Sequence, residues 1–185
     1  AAGGAGTWSP YLQRLSEHFE VIAPDHPGFG RSPSLAGVDA MPALVEHYLS
    51  LLDGLRLGSV HLVGASFGGW LSAELASTAP GRVDRLVLMA PAGLSLPEAP
   101  MANLGAMTPE QVVRALYLDQ AMADAILAVP PTPEAATQAQ GDAASNGMYM
   151  SKPNPDLLTQ LSKISAPTLV ITPEVDNVVP RQHSE

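Results

Sequence analysis

The residues best placed to do chemistry lie in Gly64-Ala65-Ser66-Phe67-Gly68, a Gly-x-Ser-x-Gly pentapeptide. An apolar β-type run, Val60-His61-Leu62-Val63, enters it, and a helix-type run over 71–79 leaves it. A serine attacks a substrate only if its hydroxyl stands clear of neighbouring side chains on a tight turn. Glycines at the flanking positions, Gly64 and Gly68, leave room for such a turn, because a Cβ there would meet the adjacent strand or helix. The helix behind Ser66 aims its first N–H groups and its positive dipole end at the point where negative charge would develop. Strand, turn and helix together make Ser66 a candidate nucleophile.

This element resembles the nucleophile elbow of the α/β-hydrolase family. The resemblance implies Ser66 as nucleophile and the backbone N–H of Phe67 as one oxyanion donor. Further stretches agree with it. Pro24-Asp25-His26-Pro27-Gly28-Phe29-Gly30-Arg31-Ser32 is similar to the family's Asp-x-Pro-Gly-x-Gly-x-Ser loop. Asp25 and Arg31 read there as an ion pair or backbone caps, and His26 as either a pocket-lining residue or, more commonly, a solvated loop histidine. Ala1-Ala2-Gly3-Gly4-Ala5-Gly6 is similar to the loop that supplies a second oxyanion N–H, from Ala1, Ala2 or Gly3, with Ala2 taken as the candidate. Thr172-Pro173-Glu174-Val175-Asp176-Asn177-Val178-Val179-Pro180 resembles the segment carrying the triad acid, which falls on Asp176.

The resemblance also requires a histidine base after the acid. The only histidine beyond Asp176 is His183, seven residues on (183 − 176). That is too close for the family's order, in which a strand and a helix intervene. His18, His26, His47 and His61 precede the acid. The base is therefore expected beyond the present chain, with the strand ahead of Ala1 missing as well. Family topology puts that strand between the 19–23 and Val60 strands, so the 185 residues alone are expected to be marginally stable or unfolded.

Other elements must hold these residues in place. Apolar runs at 19–23, 60–63, 85–90 and 167–171 read as strands. Leu44, Val45, Tyr48, Leu51, Leu52 and Leu55 give 43–57 a helical apolar face, ended by Gly58, with Glu46, His47 and Asp53 solvated. The expectation is an α/β-hydrolase fold: a mostly parallel sheet with helices on both faces, incomplete here. Residues 1–94 form the N-terminal part of the core, 95–155 a helical lid insertion and 156–185 the C-terminal part. Within the lid, helices are expected over 109–118 and 121–129, with a weaker one over 133–144. Thr108 and Gln111 form the start signal of the first. Met101, Met107, Met122, Met148 and Met150 suit either an apolar substrate or ordinary packing.

A net charge of −9 argues against nucleic acid or anionic membrane as partner. The absence of cysteine excludes disulfides and thiolate catalysis. No apolar run reaches the roughly 20 residues of a membrane span. The expected partner is a small-molecule substrate, with no cofactor, no metal and a cytoplasmic location. The implied activity is serine hydrolysis of an ester, thioester or similar acyl bond. The alternatives are a C–C bond hydrolase, perhydrolase or acyltransferase of the same fold, or a non-catalytic binding protein. Ala90-Pro91-Ala92-Gly93-Leu94 bears some likeness to hydrolases of aromatic ring-cleavage products.

Overall fold

A computed structural model describes residues 9–185, which open on helix α1 (Pro10–Ser16). Three parallel strands form one sheet in the order β1-β2-β3: β1 (Val60–Ala65), β2 (Val83–Met89) and β3 (Thr168–Ile171). Val63 lies opposite Val87, which lies opposite Leu169. Parallel strands need a crossover, and α3 (Phe67–Thr78) supplies the one between β1 and β2. Every residue of α3 from Phe67 to Ser77 except Gly68 is buried. A helix buried on every side is a core helix, and this one takes Ser72, Glu74 and Ser77 inside with its apolar residues. It packs on β1 and β2 and against α2 (Met41–Gly54), whose Met41, Leu44 and Val45 complete the core with Trp70, Leu75, Leu86 and Leu88.

The segment between β2 and β3 is helical. It contains α4 (Pro109–Leu116), α5 (Gln120–Leu127) and α6 (Pro133–Met150), and α7 (Leu157–Gln160) leads back to the sheet. Thr108 and Gln111 form a complete capping box at α4: Gln111 N–H donates to Thr108 Oγ1, and Thr108 N–H donates to Gln111 Oε1.

Three expectations need correction. Residues 19–23 are not a strand: a strand exists only by pairing, and no strand lies beside them among the described residues. The helix expected to run to 57 stops at Gly54. Arg56, at φ +58°, takes the left-handed exit assigned to Gly58, and Arg56 N–H bonds Asp53 O. The helix expected over 133–144 continues to Met150, because Tyr149 finds a buried seat against Phe29 and Phe67.

The sheet is covered unevenly. Neither outer edge, β1's or β3's, meets another strand among the described residues. Val63, Leu169, Val170 and Ile171 remain 42–56% exposed.

Candidate active site

Ser66 joins β1 to α3 with φ +52° and ψ −116°. A β-carbon makes that conformation cost about 1–3 kcal/mol, and such strain persists only where the surroundings impose it. Here three backbone hydrogen bonds impose it. Ser66 N–H donates to Met89 O at 2.9 Å, while Ser66 O accepts from Trp70 at 3.0 Å and from Ala92 at 3.1 Å. A Cβ on Gly64 would strike the Gly68 carbonyl, and one on Gly69 would come within 2.9 Å of Pro91. The glycines are therefore the space through which strand and helix meet.

The turn leaves the hydroxyl free. A serine at a helix N-cap usually spends its oxygen on the second or third helical N–H. Ser66 occupies the N-cap of α3, makes no such bond and is exposed. Phe67 is the first helical residue, so its N–H has no partner within the helix. Hydroxyl and N–H thus stand at the positive end of α3.

Asp176 lies at the same end of the sheet. Ala90 N–H, beyond β2, bonds Ile171 O at the end of β3, and Asp176 follows five residues on (176 − 171). Its Oδ1 accepts from Val178 N–H and Val179 N–H, both at 2.8 Å. This turn fixes the carboxylate and leaves Oδ2 for another partner. Parallel α/β sheets bind ligands at this carboxyl rim. Ala2, the other oxyanion candidate, lies outside the described residues.

The histidines are dispersed. His183 is buried, with Nε2 2.8 Å from Ala99 O and Nδ1 without a partner among the described residues. His18 and His61 are exposed, and His47 is half-buried beside the Tyr48 ring. His26 differs from its expectation as a solvated residue. Its Nδ1 lies 2.6 Å from Tyr48 Oη, and its ring meets Phe29, Tyr48 and Phe67 edge-on at 5.4–5.7 Å. Burial pulls its pKa down from 6.5 to about 4, against the pull of Asp25, so the ring is neutral at pH 7. Burial likewise pushes the Tyr48 hydroxyl up. The helical period of α2 placed Tyr48 inward, but no local signal paired it with His26. Asp25 acts as a backbone cap, its Oδ2 accepting from Arg31 N–H at 3.1 Å.

The 25–39 loop is held by α6. Ser145 Oγ donates to Gly28 O at 2.8 Å, Gly30 N–H donates to Asp142 Oδ1 at 3.0 Å, and Tyr149 Oη donates to Val38 O at 3.0 Å. Lys152 Nζ meets Asp39 Oδ2 at 2.6 Å and holds that carboxyl below its ordinary pKa. The α4–α5 pair is different: Leu116, Leu118, Met122 and Val129 are more than half exposed.

A cleft of about 230 Å³ opens beside α3, lined by Trp70, Gly93, Leu94, Pro100, Met101 and Met150 among others. Neither Ser66 nor Asp176 lines it. Of the five methionines singled out, Met101 and Met150 reach this cleft, and with Met148 they pack on the core. Among the described residues no group of histidine and carboxylate side chains could hold a metal ion. No described helix is long and apolar enough to cross a membrane.

A family model described as "alpha/beta hydrolase fold" matches residues 2–144. The 2-hydroxy-6-oxo-2,4-heptadienoate hydrolase of Pseudomonas putida (strain F1) is 45% identical over 89 residues, 48% of this chain and 32% of that protein. A protein of Agrobacterium fabrum (strain C58) with the provisional name carbamate hydrolase RutD is 33% identical over 91 residues, 47% of this chain and 34% of its own. The matched region thus spans about a third of these curated relatives. Among solved structures, a meta-cleavage product hydrolase from Pseudomonas fluorescens IP01 superposes with a TM-score of 0.74 at 22% identity. That superposition covers 98% of this chain and 71% of the other, and at this identity it speaks to the fold.

Proposed function

The chain belongs to the α/β-hydrolase fold family, and on that premise we propose that it carries the nucleophile half of a serine hydrolase. The observation that supports this most is Ser66 itself: an exposed hydroxyl, unspent on capping, on a non-glycine residue held at φ +52°. The hydroxyl attacks a carbonyl carbon. The new C–O bond forms as the carbonyl electrons move to oxygen. The N–H of Phe67 meets that oxyanion, and the second N–H is assigned to Ala2, which lies outside the described residues. The serine proton passes to a histidine that is none of the five in these 185 residues, and Asp176 orients that histidine through Oδ2. Collapse of the intermediate expels the leaving group, which takes the proton, and water then releases the acyl group.

The bond broken has two readings. An ester or thioester is the ordinary substrate of such a site. A C–C bond flanked by a ketone is favoured by one specific observation, the 45% identity to a hydrolase named for a 2-hydroxy-6-oxodienoate. In that case the leaving group is a carbon atom stabilised by a conjugated carbonyl. The helices between β2 and β3 act as a lid that shapes the pocket.

Fluorophosphonate labelling of the full-length protein tests the nucleophile. Adduct on Ser66, lost in Ser66→Ala, is the expected result, and labelling elsewhere refutes the assignment. Parallel assays with a p-nitrophenyl ester and a 2-hydroxy-6-oxodienoate separate the two bonds.

A further inference from the structure

We propose that Tyr149, on α6, is a positioning residue for the oxyanion donor, bracing the ring of Phe67 and through it the Ser66–Phe67 peptide. This rests on the nucleophile reading above. An oxyanion donor is useful only if held within about 0.5 Å of the productive position, by neighbours that are themselves locked. Phe67 is unusually well placed for such locking. Four rings surround its side chain: His26 at 5.4 Å, Phe29 at 5.6 Å, Trp70 at 6.0 Å and Tyr149 at 5.5 Å. Three of them belong to the neighbouring loop or to α3 itself. Tyr149 comes from the far side of the sequence and closes the box.

Tyr149 is itself immobilised. It is fully buried, its ring stacks on Phe29 at 6.4 Å and 15°, and its hydroxyl is spent on Val38 O. Its helix is pinned at Ser145 and Asp142. Gly28 shows how close the approach is: at φ +85° it would carry a Cβ 2.5 Å from Ser145 Oγ. The α6 helix is therefore a wall of the site's foundation, and any lid movement falls to α4 and α5.

The brace acts on the transition state, because only the developing oxyanion needs the Phe67 N–H in register. Tyr149→Leu should slow fluorophosphonate labelling of Ser66, and kcat, by about tenfold, less than the roughly 10²–10³ lost with a whole oxyanion donor. KM should stay within about twofold, the signature of a lost transition-state interaction. Affinity for a boronic acid, which forms a tetrahedral anion on serine, should fall in parallel, while that for the neutral product should not. Tyr149→Phe should restore the rates. Should Tyr149→Leu fail to fold, Tyr149→Met, nearer in volume, carries the same expectation. A folded variant with unchanged labelling and kcat, or with only KM raised, overturns the brace alone. A wild-type protein whose Ser66 takes no label overturns the nucleophile reading and this inference together.

Discussion

Trp70 donates its indole N–H to Glu74 Oε1 at 2.9 Å across one turn of α3, and both side chains are shut away from water. The second carboxylate oxygen accepts from Asn154 Nδ2 at 2.9 Å. No cationic side chain pairs with Glu74 among the described residues. Two neutral donors thus hold a buried carboxylate and tie the elbow helix to the segment that follows α6.

Glu74→Leu orphans the buried Trp70 indole N–H, at a cost of about 1–3 kcal/mol, and leaves half-buried Asn154 Nδ2 with Gln160 Oε1 alone. We expect a lowered Tm and reduced urea midpoint. Replacing both partners with apolar groups is milder than orphaning one. The double variant Trp70→Phe with Glu74→Leu should therefore lose less than the sum of the single losses, as a double-mutant cycle will read. Strict additivity would mean the pair is not coupled.

Ser66 carries strain that a glycine would not. Ser66→Gly should raise stability by about 1 kcal/mol, because glycine adopts a positive φ without steric cost. The same substitution should abolish turnover, as should Ser66→Ala, by about 10⁴-fold or more. Calorimetry alongside a hydrolysis assay checks both halves. A serine there merely as a turn former would show the stability change and no loss of rate.

Gly64→Ala should do the opposite to the fold. Its methyl meets the Gly68 carbonyl, a backbone atom that cannot swing aside. Overpacking of this kind costs about 1–3 kcal/mol or more. Labelling of Ser66 should fall with it, since the elbow has to open to admit the methyl group. An unshifted denaturant midpoint would contradict the close approach.

His26 makes stability depend on acid. In the unfolded chain its imidazole takes a proton below pH 6.5, in the folded chain only below about 4. Between these values the unfolded state binds more protons, so stability falls as pH drops from 6.5 to 4. The pair with Tyr48 survives only while Nδ1 is neutral or Tyr48 can turn. Urea titrations at pH 7, 5.5 and 4.5 should show the decline, and His26→Phe should flatten it across that window. An equal slope in wild type and variant would assign the loss to other groups.

Local information explains what could be read ahead of the structure. The elbow, the strands on either side and the Thr108 cap are decided within a few residues, by glycine space and by one turn of hydrogen bonds. The apolar spacing of α2 found its buried face, though not its last turn, where Arg56 rather than Gly58 takes the positive φ. The 19–23 run has strand composition, yet composition cannot supply a partner strand. His26 and Tyr149 were beyond reach for the same reason. Each is placed by residues more than twenty positions away, Tyr48 in one case and Val38 in the other.

The seat of α6 also bears on the order in which the molecule assembles. Its hydrogen bonds to the 25–39 loop join residues 111 to 117 positions apart, whereas β1, α3 and β2 are near neighbours in the chain. Closing long loops costs entropy before any contact repays it, so nearby elements tend to condense first. The turn at Ser66 would then form early and wait for Tyr149 to arrive. Variants at Tyr149 and Ser145 should chiefly speed unfolding, with φ-values near zero, while Leu75 and Leu86 variants should slow folding. High φ-values at Tyr149 would reverse that order and make α6 part of the folding nucleus.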